Sequence, residues 1–241
     1  MNSVDEKKTY LNIEKSKIMK KELIFLGPPA CGKGTQTTKL AEHLGFPHVD
    51  TGSLLRAEIS SGSENGKIAK SFIDKGNLVP VELVASIIKD RLAQEDCYEG
   101  YILDGYPRSL EQAEMLEKIN SDINGEMATD FRAIYFDLNQ DVLISRIVNR
   151  RSCPVCGEIY NLKYKPTKVE GICDKCGSEL TQRKDDTEEV AKARFETYFR
   201  ETAPLIDYYK NKGVLRTINA EGSIDEVWER LLEVISDWFI R

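Results

Sequence analysis

Two short patterns in this chain could do chemistry. The first, Gly27-Pro-Pro-Ala30-Cys31-Gly32-Lys33-Gly34-Thr35, fits G-x-x-x-x-G-K. Glycines let a backbone wrap close to phosphate oxygens, successive N–H groups and a helix N-terminus point at the anion, and the lysine reaches the outer phosphates as a mobile charge. Gly34 stands where Ser or Thr ordinarily follows the lysine, so the hydroxyl is displaced to Thr35. The second pattern is Cys153-Pro-Val-Cys156 and Cys173-Asp-Lys-Cys176, with sixteen residues between the pairs. Thiolates two residues apart can both reach one tetrahedral ion, and four sulfur ligands leave no open position, so such a site is structural. Gly157 and Gly177 follow the pairs and permit a tight knuckle. Zinc is the expected metal, iron the competitor, and disulfide-like pairs the covalent alternative. The insert is too small to bury a core of its own, so metal binding would supply its folding energy.

A third set has no local signature. Arg56, Arg108, Arg146, Arg150, Arg183 and Arg194 are spread along the chain, and each taken singly reads as a solvated charge. Guanidinium groups converging from separate loops would grip phosphate oxygens in bidentate fashion.

The elements that must position these groups follow from period and punctuation. Glu22–Leu26 reads as a buried strand running into Gly27, and Lys33–Leu44 as the helix after the phosphate loop, stopped by Gly45 and Pro47. A second strand ends at about Asp50. Helices are expected over Leu54–Ser60, Ile68–Lys75 (closed by Gly76) and Val81–Leu92. Tyr101–Leu103 is a third strand, Leu110–Ile119 a helix, Ala133–Leu138 a fourth strand and Val142–Arg151 a helix. After the cysteine insert at about 152–182, Asp186-Thr-Glu-Glu189 has the form of a capping box opening a helical region that ends at Gly213. Val214–Ile218 is a fifth strand and Ile224–Phe239 an amphipathic helix. Short buried strands alternating with helices define an α/β fold, a five-stranded parallel sheet covered by helices.

Composition agrees with one soluble domain carrying inserts. Apolar residues make up 41% and charged residues 31% of 241. No apolar run approaches the ~20 residues of a membrane span, and residues 1–18, polar and charged, lack the apolar core of a secretory signal. A flexible extension is expected there. The net charge of −6 gives no general attraction to polyanions, so any phosphate site must be a local concentration of cations. Clustered cysteines point to a reducing, cytoplasmic setting. Only His43 and His48 are present; both are expected to be structural or exposed. Tyr198, Phe199, Tyr208 and Tyr209 are expected in the core, and Trp228 and Trp238 on the last helix.

Taken in order, the motifs resemble the adenylate kinase family from Met19 to the C-terminus. Gly27–Gln36 resembles its phosphate loop, Thr51-Gly-Ser-Leu-Leu-Arg56 its monophosphate segment, Leu103-Asp-Gly-Tyr-Pro-Arg108 its Asp-Gly-Phe-Pro-Arg signature, and Arg183-Lys-Asp-Asp186 the end of its long lid. The resemblance implies a P-loop nucleotide kinase catalysing ATP + AMP ⇌ 2 ADP, with magnesium on the nucleotide and a structural zinc in the lid. The core would comprise 19–49, 80–149 and 187–241, the AMP insert 50–79 and the lid 150–186. ATP would be held by Ala30, Cys31, Gly32, Lys33, Gly34, Thr35, Arg146, Arg150, Ile159 and Tyr160. AMP would be held by Thr51, Arg56, Asn77, Leu78, Val79, Gly105, Tyr106, Pro107, Arg108, Gln112, Arg183 and Arg194. Lys33, Arg108, Arg150, Arg183 and Arg194 would act at the transferring phosphate, with Asp104 binding magnesium through water. The lid cysteines resemble the family's zinc form. The partners implied are small nucleotides, with no nucleic acid or membrane, and a monomer.

This sequence departs from the family pattern in four places. Ala30-Cys31 replaces a common Gly-Ala, Tyr106 the usual Phe, Ser109 the usual Thr, and Ser53 a common Asp. Thr51 favours AMP, since relatives that accept UMP or CMP tend to carry Ala there. A kinase for another nucleoside monophosphate is the nearest rival. A zinc-ribbon module with a relic nucleotide site is the non-enzymatic one, and it would be expected to show a basic, aromatic-laced surface that this acidic chain lacks.

Overall fold

The computed structural model describes residues 19–139 and 143–238, and the side chain of Trp238 is not among those described. The extension at 1–18, the expected helix start at Val142 and the expected helix end at Phe239 lie outside the described residues.

The sheet is built on β1 (Lys20–Leu26), in which Leu23, Ile24, Phe25 and Leu26 are at most 3% exposed. A strand buried on both faces must be flanked by parallel neighbours with helices above and below. The neighbours are β3 (Gly100–Asp104) on one side and β4 (Thr129–Asp137) on the other, with β2 (His48–Asp50) outside β3 and β7 (Leu215–Asn219) outside β4. All four pairings are parallel, giving the order β2-β3-β1-β4-β7. The register aligns the C-terminal ends: Phe25 pairs with Asp104, and Asp50 with Asp104.

Alternation along β1 divides the core. Ile24 and Leu26 face α4 (Val81–Leu92), α5 (Leu110–Asn124) and α8 (Pro204–Asn211), through residues such as Ile88, Leu116 and Leu205. Leu23 and Phe25 face α1 (Lys33–Leu44), α6 (Leu143–Val148) and α9 (Ile224–Ile235), through Leu40, Leu143 and Leu231. Full burial of each such side chain stabilises the fold by about 1.5–3 kcal/mol.

The helix termini are specified locally. Gly45 ends α1 in the left-handed conformation and its N–H returns to Ala41 O, while Ser223 and Glu226 form a capping box on α9. Between β2 and α4 the chain forms α2 (Thr51–Ser61) and α3 (Glu64–Ile73). These cross so closely that a Cβ on Gly66 would stand 2.2 Å from Glu58 O. Gly76, just beyond α3, leans on α7 (Glu188–Thr197): a Cβ there would meet Ala193 Cβ at 3.1 Å and Arg194 N at 3.2 Å. α7 then widens into a π-helical turn, Tyr198–Thr202, and Thr202 Oγ1 donates to Arg108 O at 2.7 Å.

Several expectations are corrected. α2 begins at Thr51, not Leu54, because Asp50 caps it, and α3 begins at Glu64, capped by Ser63. The helix expected over Val142–Arg151 stops at Val148; Arg150–Ser152 is instead β5, paired antiparallel with β6 (Ile159–Asn161). The cap of α7 is Thr187, whose side chain accepts from Val190 N at 3.3 Å; Asp186 is fully buried among arginines. Phe199 is 44% exposed rather than in the core, whereas Tyr198 and Tyr209 are buried. The last regular helix ends at Ile235 and is followed by a 3-10 turn, Ser236–Trp238.

Candidate active site

The loop from β1 to α1 must leave a buried strand and enter a helix within six residues. Gly27, at φ +146, has no room for a side chain, since a Cβ would lie 2.9 Å from Phe136 O. Ala30 adopts φ +62, the left-handed region that a glycine would occupy at less cost, a strain of ~1–2 kcal/mol. Gly32 opens α1 at φ +99. Lys33 Nζ is drawn back over the loop, donating to Gly27 O at 2.7 Å and Pro28 O at 3.1 Å, with Cys31 Sγ at 3.5 Å. An ammonium resting on carbonyl oxygens gives up little when an anion takes their place.

Beside the loop, Asp104 ends β3 and is 7% exposed. Thr37 Oγ1 donates to its Oδ2 at 3.2 Å, and His48 Nε2 lies 3.6 Å from the same oxygen. Burial pushes the carboxyl up, but the nearby His48 imidazole and the charges of Lys33 and Arg108 outweigh it and hold Asp104 below its ordinary value. His48, expected to be structural or exposed, lines the same cavity as Asp104. The turn after β3 contains a cis Tyr106–Pro107 peptide and Gly105 at φ +81, where a Cβ would stand 2.9 Å from Arg108 Nη2. Arg108 Nε donates to Gly105 O at 2.7 Å, and Gln112 Oε1 accepts from Arg108 N at 2.7 Å.

The arginines converge. Arg150, on β5, donates from Nε to Asp186 Oδ2 at 2.8 Å, and Arg194 donates to Asp186 Oδ1 at 3.4 Å and to Asp185. One fully buried carboxylate thus holds an arginine of β5 and an arginine of α7 together. Arg183 donates to Ser152 Oγ at 3.2 Å; burial and then the charges of Arg150 and Arg56 push it down to about 10, against Asp186 and Asp50. Arg108 is likewise lowered, by burial and by Arg194 and Arg56, with Asp104 and Asp50 opposing. Its guanidinium is ringed by protein yet open to solvent in the cavity. Guanidinium groups that depress one another form a pocket short of an anion.

One cavity of about 840 Å³ unites these groups. It is lined by Ala30, Cys31, Gly32, Lys33, Gly34 and Thr35 of the loop, by Asp104, Gly105, Pro107, Arg108 and Gln112, by Thr51, Arg56 and Asn77–Val79, and by Arg146, Arg150, Ile159, Tyr160, Arg183 and Arg194. Of the nucleotide-site residues read from the sequence, only Tyr106 does not line it. Its ring is fully buried, and its hydroxyl finds no partner among the described residues. The cavity is also lined by residues that the sequence reading did not place there, among them His48, Asp50, Tyr164 and the turn Gly222–Ile224. The Arg146 guanidinium lies 4.9 Å over the Tyr164 ring, and Gln36 Nε2 binds Ile224 O at 2.8 Å. An aromatic three residues past β6, in a chain with Arg146 and Arg150 four apart, is the available signal for Tyr164.

Above this cavity the four insert cysteines meet, their sulfurs all within 4.8 Å of one another. Cys153 and Cys176 are 3.4 Å apart, Cys156 and Cys173 3.6 Å, near the ~3.8 Å edge of a tetrahedron with 2.3 Å metal–sulfur bonds. The two knuckles are alike: Gly157 N bonds Cys153 O and Gly177 N bonds Cys173 O, both glycines left-handed. Burial raises the Cys173 thiol, but the Tyr160 hydroxyl and the backbone N–H groups of Cys176 and Lys175 outweigh it and hold it below its ordinary value. The donor set fits a thiophilic ion. No helix of the described residues is long and apolar enough to cross a membrane.

A parallel sheet with a glycine-lysine loop at its central strand, and arginines from two inserts facing that loop, define a P-loop phosphotransferase. Comparison with known proteins narrows the class: the family model described as "Adenylate kinase" matches residues 25–214. The chain is 48% identical over 213 residues to an adenylate kinase of Thermodesulfovibrio yellowstonii, covering 88% of this chain and 98% of that one. It is 46% identical to one from Caldanaerobacter subterraneus (88% and 95% covered) and 44% identical to one from Archaeoglobus fulgidus (88% and 97%). The chain belongs to the adenylate kinase family.

Proposed function

We propose that this chain transfers the terminal phosphoryl group of ATP to AMP, ATP + AMP ⇌ 2 ADP, with the two nucleotides end to end in the 840 Å³ cavity. The observation that carries the reading is that Lys33, Arg56, Arg108, Arg146, Arg150, Arg183 and Arg194 line that one space in a chain whose net charge is −6. ATP phosphates take the loop N–H groups and Lys33. The slot between Arg146, Tyr164 and the Gly222–Ile224 turn suits a flat base. AMP takes Thr51, Arg56, Asn77–Val79, Arg108 and Gln112. Arg150, Arg183 and Arg194 then face the phosphoryl group in flight, where charge spreads over its equatorial oxygens and positioning does most of the work.

The nucleotide's magnesium ion supplies charge neutralisation when bound, and ionised Asp104 is the carboxylate placed to hold its water. In the lid the four thiolates hold zinc. Segments 50–79 and 150–186 act as closing inserts that exclude water able to intercept the phosphoryl group.

A coupled assay with ATP against AMP, UMP, CMP and GMP tests the reading, with Lys33→Met as control. AMP should be preferred. Lys33→Met should lower kcat about 10²–10³-fold, the scale of losing one well-placed charge stabiliser, with the melting profile retained. Preference for another monophosphate, or turnover persisting without Lys33, would overturn it.

A further inference from the structure

Arg56 is held by a residue outside the nucleotide-site motif. Asp50 caps α2, accepting from Gly52 N at 3.1 Å and Ser53 N at 3.0 Å. The same carboxylate accepts from Ser53 Oγ and from Arg56 Nη2 at 3.2 Å, and Ser53 Oγ accepts from Arg56 Nη2 at 2.9 Å. The guanidinium lies over the first helical turn: a Cβ on Gly52 would stand 3.0 Å from Nη1 and 3.3 Å from Asp50 Oδ1. Asp50, Gly52, Ser53 and Arg56 thus form one unit, and only Nη2 of the fork is engaged by Asp50 and Ser53. The charge of Asp50 also acts on Arg108 and Arg183 against the repulsion among the guanidinium groups.

Where the family commonly carries a carboxylate at the position of Ser53, this chain carries it three residues earlier. Resting on the reading of Arg56 as an AMP-phosphate ligand, we propose that Asp50 is a positioning residue for AMP, fixing the Arg56 fork over Gly52 from the N-terminus of α2. Two backbone N–H groups anchor the carboxylate, so Arg56 is ordered before its ligand arrives and less freedom is lost on binding. The carboxylate's charge is met by those N–H groups, a hydroxyl and a guanidinium, which limits its repulsion of an incoming phosphate.

Steady-state kinetics with each nucleotide varied in turn, alongside thermal melting, test this. Asp50→Ala removes cap and charge; Asp50→Asn keeps a capping acceptor and removes the charge alone. The double variant Asp50→Ser with Ser53→Asp moves the carboxylate to the family's usual place. KM for AMP should rise about tenfold in Asp50→Ala, the scale of one charge-assisted bond, and about threefold or more in Asp50→Asn at an unchanged melting temperature. KM for ATP should stay within about twofold, and the double variant should restore KM for AMP to within about threefold of the parent. An unaltered KM for AMP in both single variants would overturn the proposal. So would KM values for both nucleotides rising together with a lowered melting temperature and no rescue by the double variant. Absence of AMP turnover in the parent chain would instead overturn the functional reading on which it rests.

Discussion

Arg183→Gln should make the empty protein more stable while disabling it. Burial and then the charges of Arg150 and Arg56 push Arg183 down to about 10, well below its ordinary value. It stays charged at neutral pH, and a folded value below the unfolded one means that its protonation opposes folding. At ~1.4 kcal/mol per tenfold step the opposition is at most about 3.5 kcal/mol. Partial solvent exposure, and the loss of its bond to Ser152, reduce the expected gain to ~1 kcal/mol. For a chain of this size that raises the melting temperature by about 2–4 °C. Turnover should fall by ~10²–10³-fold, because the same guanidinium is the one an in-flight phosphoryl group would meet. Differential scanning fluorimetry of the empty protein and of its complex with two adenosines joined by five phosphates reads both halves. The mimic should stabilise the parent by more than the variant. A lowered melting temperature in the empty variant, or equal stabilisation of both by the mimic, would refute the view that the arginines repel one another and await a polyanion.

Two further outcomes are expected. Asp104, held below its ordinary value, contributes stability that is fully present above the unfolded value near pH 3.9 and is lost as pH falls through the folded one; Asp104→Asn should therefore lower the melting temperature at about pH 5, with the gap closing below about pH 4, and a gap that widens between about pH 5 and pH 3 would contradict this. Metal analysis should find one zinc per chain, with iron betrayed by visible absorption. Stripping it with a strong chelator should raise amide exchange across 150–186 and cut turnover at least about tenfold, since Cys153, Tyr160 and Cys173 are the buried centre of that insert.

Elements punctuated by glycine and built on a local period were legible in the sequence. α1 and α4 fall where their patterns put them, because Gly45 ends the one and a run of Val84, Ile88 and Leu92 faces the core in the other. What escaped is non-local. Arg150 reads as the end of a helix, yet β6 recruits it into a hairpin. α5 runs on to Asn124 because Asn120 and Asn124 bond buried Glu22 across the sheet, a polar contact that an apolar period does not reveal. Asp186-Thr-Glu-Glu has a cap's composition, but the aspartate's buried position is fixed by two arginines from elsewhere. Phe199 was expected inward on an α-helical phase that the π-helical turn shifts. The cationic site was legible only through the family's motif order, and Asp50 and His48 became visible only once β2 lay beside β3.

Gly76 and the widened turn at Tyr198–Thr202 give the two ends of the cavity a common mechanical member. Asn77–Val79 begin where Gly76 abuts α7, α7 carries Arg194, and the same chain then grips the carbonyl of Arg108 through Thr202. Contacts along that path would carry a push from one end of the cavity to the other. Thermodynamic reciprocity then requires that any factor by which AMP tightens the hold on ATP be returned in equal measure when ATP binds first.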